Sequence, residues 1–159
     1  MTPWRVSPVG PRHAAVVAEI HDATIGGGWS VASVTRLIAL PGTITLLADR
    51  PKDIAPTGFA LALMAGEVID LAAIGVLPEG RRAGCGRALL AAVLTRAALA
   101  GAAKCLLEVA ADNEDAKALY ISGGFAQYGT RPAYYQRPDG TRQDALLFAR
   151  PLAGAIPEI

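Results

Sequence analysis

Residues 67–100 read EVIDLAAIGV, LPEG, RRAGCG and RALLAAVLTRAALA, and the rest of the chain is arranged around them. Val68 to Val76 is nearly continuous in apolar residues with one acid, Asp70, which predicts a buried strand. Pro78 and Gly80 stop it. A glycine-spaced basic turn follows, Arg81-Arg82-Ala83-Gly84-Cys85-Gly86. Leu89, Leu90, Val93, Leu94 and Ala97 then recur at helical spacing in a segment rich in Ala and Leu, strong helix formers. A strand, a turn with two glycines and a helix starting at the second glycine make an anion site. The first helical N–H groups lack intrahelical partners, and the helix dipole places partial positive charge there. Gly84 and Gly86 lack a Cβ and let a phosphate approach the backbone. Arg81, Arg82 and Arg87 add fixed charge, so the turn reads as a pyrophosphate cradle.

Two familiar phosphate motifs do not fit. No third glycine completes G-x-G-x-x-G after Gly84-Cys85-Gly86, although Glu108 stands 22 residues past Gly86, near the spacing of a ribose-binding acid. No lysine follows either glycine, as the Walker pattern requires. What remains, Arg81-x-x-Gly84-x-Gly86, resembles the coenzyme A loop of the GNAT N-acetyltransferase superfamily. On these residues alone, a tight strand–helix turn with surface arginines remains an equal reading.

Bulk properties narrow the field. The 159 residues suffice for one domain with a real core, expected over 1–159. The chain is 52% apolar and 18% charged, as a folded chain is and a disordered one is not. A formal net charge of +1 gives no global field to hold nucleic acid. The two cysteines, Cys85 and Cys105, read as free thiols, and no CxxC or Cys/His cluster suggests zinc or another metal. The N-terminal MTPWRVSPVGPRHAAVV lacks a signal-peptide pattern, and no apolar run reaches membrane-spanning length. A soluble, cytoplasmic protein is expected.

In chain order the pattern predicts a short strand at Trp4–Val6, a helix over Arg12–Asp22 and a mobile loop at 24–30 containing Gly26-Gly27-Gly28-Trp29. This loop is either a solvated linker or a substrate-lining segment. Ser30 is the expected N-cap of a helix over Val31–Leu40. Strands follow at Thr43–Ala48, Gly58–Met64, Val68–Val76 and Lys104–Ala110, with the cradle helix between the last two and Gly101 at its C-terminal cap. Asp112-Asn113 opens a helix from Glu114 to Ser122. A strand over Phe125–Arg131, a loop through Tyr134–Thr141 and a last strand over Gln143–Arg150 complete the pattern. The apolar tail, 151–159, either packs on the body or frays. Strands four and five flank a helix and should be parallel with a right-handed crossover. The expected fold is α/β (α+β): a mixed, mostly antiparallel sheet of about seven strands, with helices on both faces.

Glu108 and Asp70 are acids inside apolar strands, which costs free energy unless each is paired or sits at a cleft. Tyr120 follows Glu108 by 12 residues. A carboxylate and a phenol can serve as general base and general acid in amine acylation. Singly, each reads more readily as structural, an edge acid and a packed aromatic, because most strand acids and aromatics are.

Together, residues 106–125 (LLEVAADNEDAKALYISGGF) and 74–90 (IGVLPEGRRAGCGRALL) resemble the bacterial ribosomal-protein-alanine N-acetyltransferases of the GNAT superfamily. The resemblance continues through Tyr134-Tyr135, Asp139-Gly140 and Asp144-Ala145-Leu146 and touches Trp29-Ser30. It is good over 58–150 and loose before. It implies acetyl-CoA as co-substrate and a protein N-terminus as acceptor, a small-subunit ribosomal protein among the candidates. Ile74, Gly75 and Val76 would offer backbone groups to the pantetheine arm and the acetyl carbonyl, where strands four and five splay. Arg81 and the segment Arg82 to Arg87, with Ala83, Gly84, Cys85 and Gly86, would hold the pyrophosphate. Asn113 would bind the cofactor arm. Glu108 matches the proton acceptor and Tyr120 the proton donor. Trp29, Tyr134 and Tyr135 would line the acceptor groove, and Asp70 would bind the acceptor amine or act as an alternative base. Ala110-Ala111-Asp112-Asn113 stands where the family carries Arg-Ala-Ser-Asn, Ala73 where it carries Asn, and Gly75 where it carries Ala. The glycines at 26–28 are an insertion. These departures bear on the acceptor more than on the cofactor. A small-amine acetyltransferase and a non-catalytic acyl-CoA sensor are the rival readings; the pair Glu108 and Tyr120 speaks against the sensor.

Overall fold

A computed structural model describes residues 3–152. Strand β1 (Arg5–Pro8) leads through a 3-10 turn at Pro11–His13 to helices α1 (Ala14–Thr24) and α2 (Val31–Ala39). Strands β2 (Thr43–Asp49), β3 (Gly58–Ala65) and β4 (Val68–Val76) follow, then α3 (Cys85–Leu99) and β5 (Lys104–Ala110). Helix α4 (Glu114–Ser122) precedes the hairpin β6 (Ala126–Gln136) and β7 (Arg142–Pro151). The strands form one sheet in the order β1-β2-β3-β4-β5-β7-β6. Among the described strand pairs, β4–β5 is parallel and the others are antiparallel. The expected mixed sheet is therefore present.

Strand alternation sorts the apolar residues onto two faces. On one face Leu46, Ala60, Ile69 and Leu107 pack under the α3 stripe of Leu89, Leu90, Val93, Leu94 and Ala97. On the other, Leu47, Phe59 and Leu61 pack under Val17 and Ile20 of α1 and Val34 and Ile38 of α2. A fully buried side chain such as Leu89 contributes about 1.5–3 kcal/mol through burial. Both helix layers are thus held by the sheet, with the expected helices on both sides.

Two expectations need correction. The first helix begins later, after the 3-10 turn, and runs on to Thr24. Tyr134-Tyr135 lie within β6, not in a loop. Pro132 falls in a bulge where no ladder bond is needed, so the strand runs on past it. The register steps from Arg131 opposite Ala145 to Tyr135 opposite Gln143, and the displaced Ala133 N–H donates to the Asp144 carboxylate at 2.8 Å. Of the tail expected over 151–159, Pro151 ends β7 and Leu152 is buried in the α3-side core; 153–159 lie outside the described residues.

Candidate active site

The site begins with one extra residue in β4. Against β3 the register jumps from Leu71 opposite Ala62 to Ala73 opposite Leu61, leaving Ala72 as a bulge. Before it, Ile69 and Leu71 face the α3 side. After it, Ile74 and Val76 do, and Ala73 turns to the α1–α2 side. Parallel pairing with β5 ends at Asp70 opposite Leu106, just before the bulge. The two strands therefore splay, and the β5-facing edge of Ile74–Val76 is left without a ladder. On its other edge this segment stays paired to Gly58–Ala60 of β3. An unladdered edge inside a cleft can receive the amides of an extended ligand.

A cleft of about 590 Å³ opens at this splay. Ile74, Gly75 and Val76 form one wall; Gly80, Arg81, Arg82, Gly84, Cys85, Gly86 and Arg87 form the floor. Gly84 sits before α3 at φ 88°, a conformation that disfavours side chains, with only Trp4 Nε1 near an added Cβ. Backbone conformation, more than the expected close approach, thus requires the glycine there. No side chain caps α3 and no acid lies in its first turn, so the N-terminal N–H groups and the dipole are free for an anion. Cys85 contributes only main chain, because its side chain is buried in the core and its thiol is pushed up to about 11 by burial. Ala83 does not line the cleft; its carbonyl accepts from Trp4 Nε1 at 2.9 Å. Arg81 Nε donates to the Val76 carbonyl at 3.0 Å, tying the floor to the wall.

Helix α4 closes the opposite wall with Asn113, Ala116, Leu119 and Tyr120. Asn113 is its N-cap, accepting from Ala116 N–H at 3.1 Å through Oδ1, which leaves the amide nitrogen for a ligand. At the other end Gly124 N–H bonds to Ile121 and Phe125 N–H to Tyr120, a Schellman motif. Its apolar contact is the Tyr120–Phe125 edge-on pair at 5.9 Å, which fixes the tyrosine ring. Burial, with smaller pushes from Cys105 and Tyr135, raises the Tyr120 phenol to about 12.

Glu108 does not line the cleft. It alternates with Leu107 and Val109, which enter the α3-side core, and so stands on the opposite face of β5. There its Oε1 lies 3.3 Å from Arg131 Nη1. Asp70 shares that face, and its carboxyl pKa is raised, first by partial burial and then by the charge of Glu108. Tyr135 is likewise raised by burial and Glu108, so it stands within electrostatic reach of both Glu108 and Tyr120. Tyr134 packs edge-on against Tyr135 at 5.2 Å and lies under the Arg131 guanidinium at 5.4 Å. Trp29 is farther back, stacked at 4.0 Å on His21 within the α1–α2 layer. The structure thus separates a basic cleft on the α3–α4 side from an acidic, tyrosine-lined face on the other. They meet where β4 and β5 part.

A family model for the acetyltransferase (GNAT) family matches residues 14–125. The chain belongs to the GNAT family. Among its GNAT relatives, the [ribosomal protein bS18]-alanine N-acetyltransferase of Escherichia coli K12 is 39% identical over 95 residues, 60% of this chain. The match spans 64% of that curated relative's length. The corresponding enzyme of Haemophilus ducreyi is 36% identical over 76 residues, 48% of this chain and 52% of its own. The crystal structure of the E. coli ribosomal-protein-S18-alanine N-acetyltransferase superposes with a TM-score of 0.87 at 27% identity, covering 99% of both chains. The yncA protein of Salmonella typhimurium, solved with its cofactor acetyl-CoA, shares the fold: TM-score 0.81, 17% identity, 98% of each chain covered.

Several residues around this GNAT cleft escape a sequence reading. Thr24 and Ile25 reach it from the end of α1. An added Cβ at Gly75 would lie 2.4 Å from Thr24 Oγ1 and 2.6 Å from a Phe59 ring carbon, which explains glycine where the family pattern has alanine. Arg131 finds Glu108 because Arg131, Ala145 and Ala110 stand side by side across β6, β7 and β5. No spacing signal carries that, since it depends on β7 lying between the other two. His21, buried and held toward neutrality by desolvation, shows only as one residue of an apolar helix stripe.

Proposed function

We propose that the protein is an acetyl-CoA-dependent N-acetyltransferase that transfers acetyl directly to an α-amine at a protein N-terminus, a ribosomal-protein alanine first among candidates. The observation that carries this reading is the splay of β4 and β5. It opens the backbone of Ile74–Val76 between a cationic, uncapped helix terminus and a face bearing Asp70, Glu108, Tyr134 and Tyr135. The free α3 terminus and the arginines of the floor suit a pyrophosphate. Acetyl-CoA would supply a thioester-activated acetyl group there. Ile74–Val76 would hold the pantetheine arm, with Asn113 on the far wall. A backbone N–H of this segment would polarise the acetyl carbonyl.

On the other face, Asp70 receives the amine as its ammonium form, and Tyr134 and Tyr135 flank the leading residues of the peptide. An α-amine has a reference pKa of about 7.7–8.0, so a weak base suffices to free it. Glu108, through water, takes the proton that leaves the ammonium and frees the amine; the second N–H proton, shed as the new C–N bond forms, leaves through the same water and restores the one that Tyr120 gives up. Tyr120 gives a proton to the sulfur as the C–S bond breaks. Proximity of amine and thioester supplies much of the rate. A cytoplasmic location suits this reading, since two buried free thiols are at home in a reducing compartment; among the described residues no helix is long and apolar enough to cross a membrane.

Thiol release from acetyl-CoA tests the reading, with peptides beginning in Ala, Ser or Met beside a panel of small amines. Rapid turnover on an Ala-start peptide is expected. Turnover confined to small amines would sink the N-terminal acceptor and keep the fold.

A further inference from the structure

The phosphate floor is supported from behind by residues from two other parts of the chain. Trp4 Nε1 donates to the Ala83 carbonyl across 79 positions of sequence. Its ring runs beneath the floor from end to end: an added Cβ at Gly80 would meet Trp4 Cη2 at 3.3 Å, and one at Gly84 would meet Trp4 Nε1 at 3.9 Å. The Arg50 guanidinium lies over the same ring at 4.5 Å and donates to the Glu79 carbonyl at 3.4 Å. Arg50 is itself anchored, its backbone N–H donating to the Asp53 carboxylate at 2.7 Å. Asp53 also accepts from the Thr57 hydroxyl, and the Thr57 carbonyl takes the Leu77 N–H at 2.8 Å.

We propose that Trp4, held by Arg50, is a positioning residue for the pyrophosphate floor, aiming the Gly84 N–H at the anion. The argument is geometric. In a trans peptide the C=O and the next N–H point in opposite directions, and the described chain has no cis bond. Drawing the Ala83 carbonyl toward Trp4 therefore turns the Gly84 N–H the other way, and Gly84 lines the cleft whereas Ala83 does not. The floor needs such support: Arg82, a non-glycine residue, is held at φ 58° and Gly84 at φ 88°, two left-handed residues within three. An unbraced loop would relax from this shape and lose its preorganisation for phosphate.

The inference rests on acetyl-CoA being the donor, and its test separates the two. Binding is measured by calorimetry for acetyl-CoA and for acetyl-pantetheine, which lacks the pyrophosphate. Trp4→Phe keeps the ring beneath the floor and removes the N–H. It is expected to weaken acetyl-CoA binding roughly five-fold, the worth of about one net hydrogen bond, and to leave acetyl-pantetheine unchanged. Arg50→Gln, a change at a partly exposed side chain, should show the same selective loss if Trp4→Phe fails to fold. Equal losses on both ligands, or no loss on acetyl-CoA, overturns the brace. A wild-type protein that binds neither ligand overturns the donor assignment before any variant is made.

Discussion

Tyr120 separates a packing contact from a proposed chemical one. Its ring makes the apolar contact of the α4 Schellman motif with Phe125, and the residue lines the cleft, where its hydroxyl is the proposed proton donor. Tyr120→Phe keeps the first and deletes the second. We expect kcat to fall about a hundredfold, the lower range for losing an acid–base group, with melting temperature and acetyl-CoA affinity nearly unchanged. Unaltered turnover would remove its role as proton donor. Because burial lifts the phenol to about 12, it stays protonated wherever the enzyme works; a basic limb in the kcat profile near pH 9 or 10 would contradict this. At this scale the sequence was informative where motifs are dense: Tyr120, Asn113 and Arg81–Arg87 all come to the cleft except Ala83. It was uninformative for Trp4 and Arg131, whose partners lie 79 positions away and two strands away.

The decisive element is β4, and its decisive feature is the bulge at Ala72. The helices were readable because α1 and α3 place apolar residues at 3.6-residue spacing. The strand was readable as buried for the same apolar content that hid its bulge. A parity switch shows only as a break in apolar–polar alternation, and a run whose single polar residue is Asp70 offers none to break, although Asp70 and Ala72 are exposed in the fold. The bulge also presents Gly75 to the end of α1. Gly75→Ala should destabilise the fold by about 1–3 kcal/mol through overpacking against Thr24 and Phe59. Adding Thr24→Ala should recover part of that loss, because it removes the nearer obstacle. Urea unfolding of the single and double variants checks both; a neutral Gly75→Ala would mean that α1 yields freely.

At the scale of the whole molecule, pH acts on stability through buried acids, three of them strongly shifted among the described residues. Burial raises the Tyr120 phenol from 10 to about 12, the Cys105 thiol from 9 to about 12 and the Cys85 thiol from 9 to about 11. Between the unfolded and folded values the native state binds more protons than the unfolded one, so stability falls as pH rises. The contribution is whole below about pH 9 and drains away toward 11–12. The urea midpoint should therefore decline steadily above pH 9, and Cys105→Ala should flatten the decline; a midpoint constant to pH 11 would refute the burial of these groups. The strand order carries a further consequence for biogenesis. Strand β7 is the last strand in the described chain, yet it lies inside the sheet, between β5 and β6. During synthesis from the N-terminus, β1 to β5 and the phosphate floor emerge while the edge of β5 is still bare and β6 has nothing to pair with. A nascent chain halted near Arg137 would present an open strand edge, the kind of surface that invites aggregation or chaperone capture. The proposed acceptor face, built largely from β5 and β6, is completed only when β7 slides between them, so the half of the site that would choose the acceptor is the last to form.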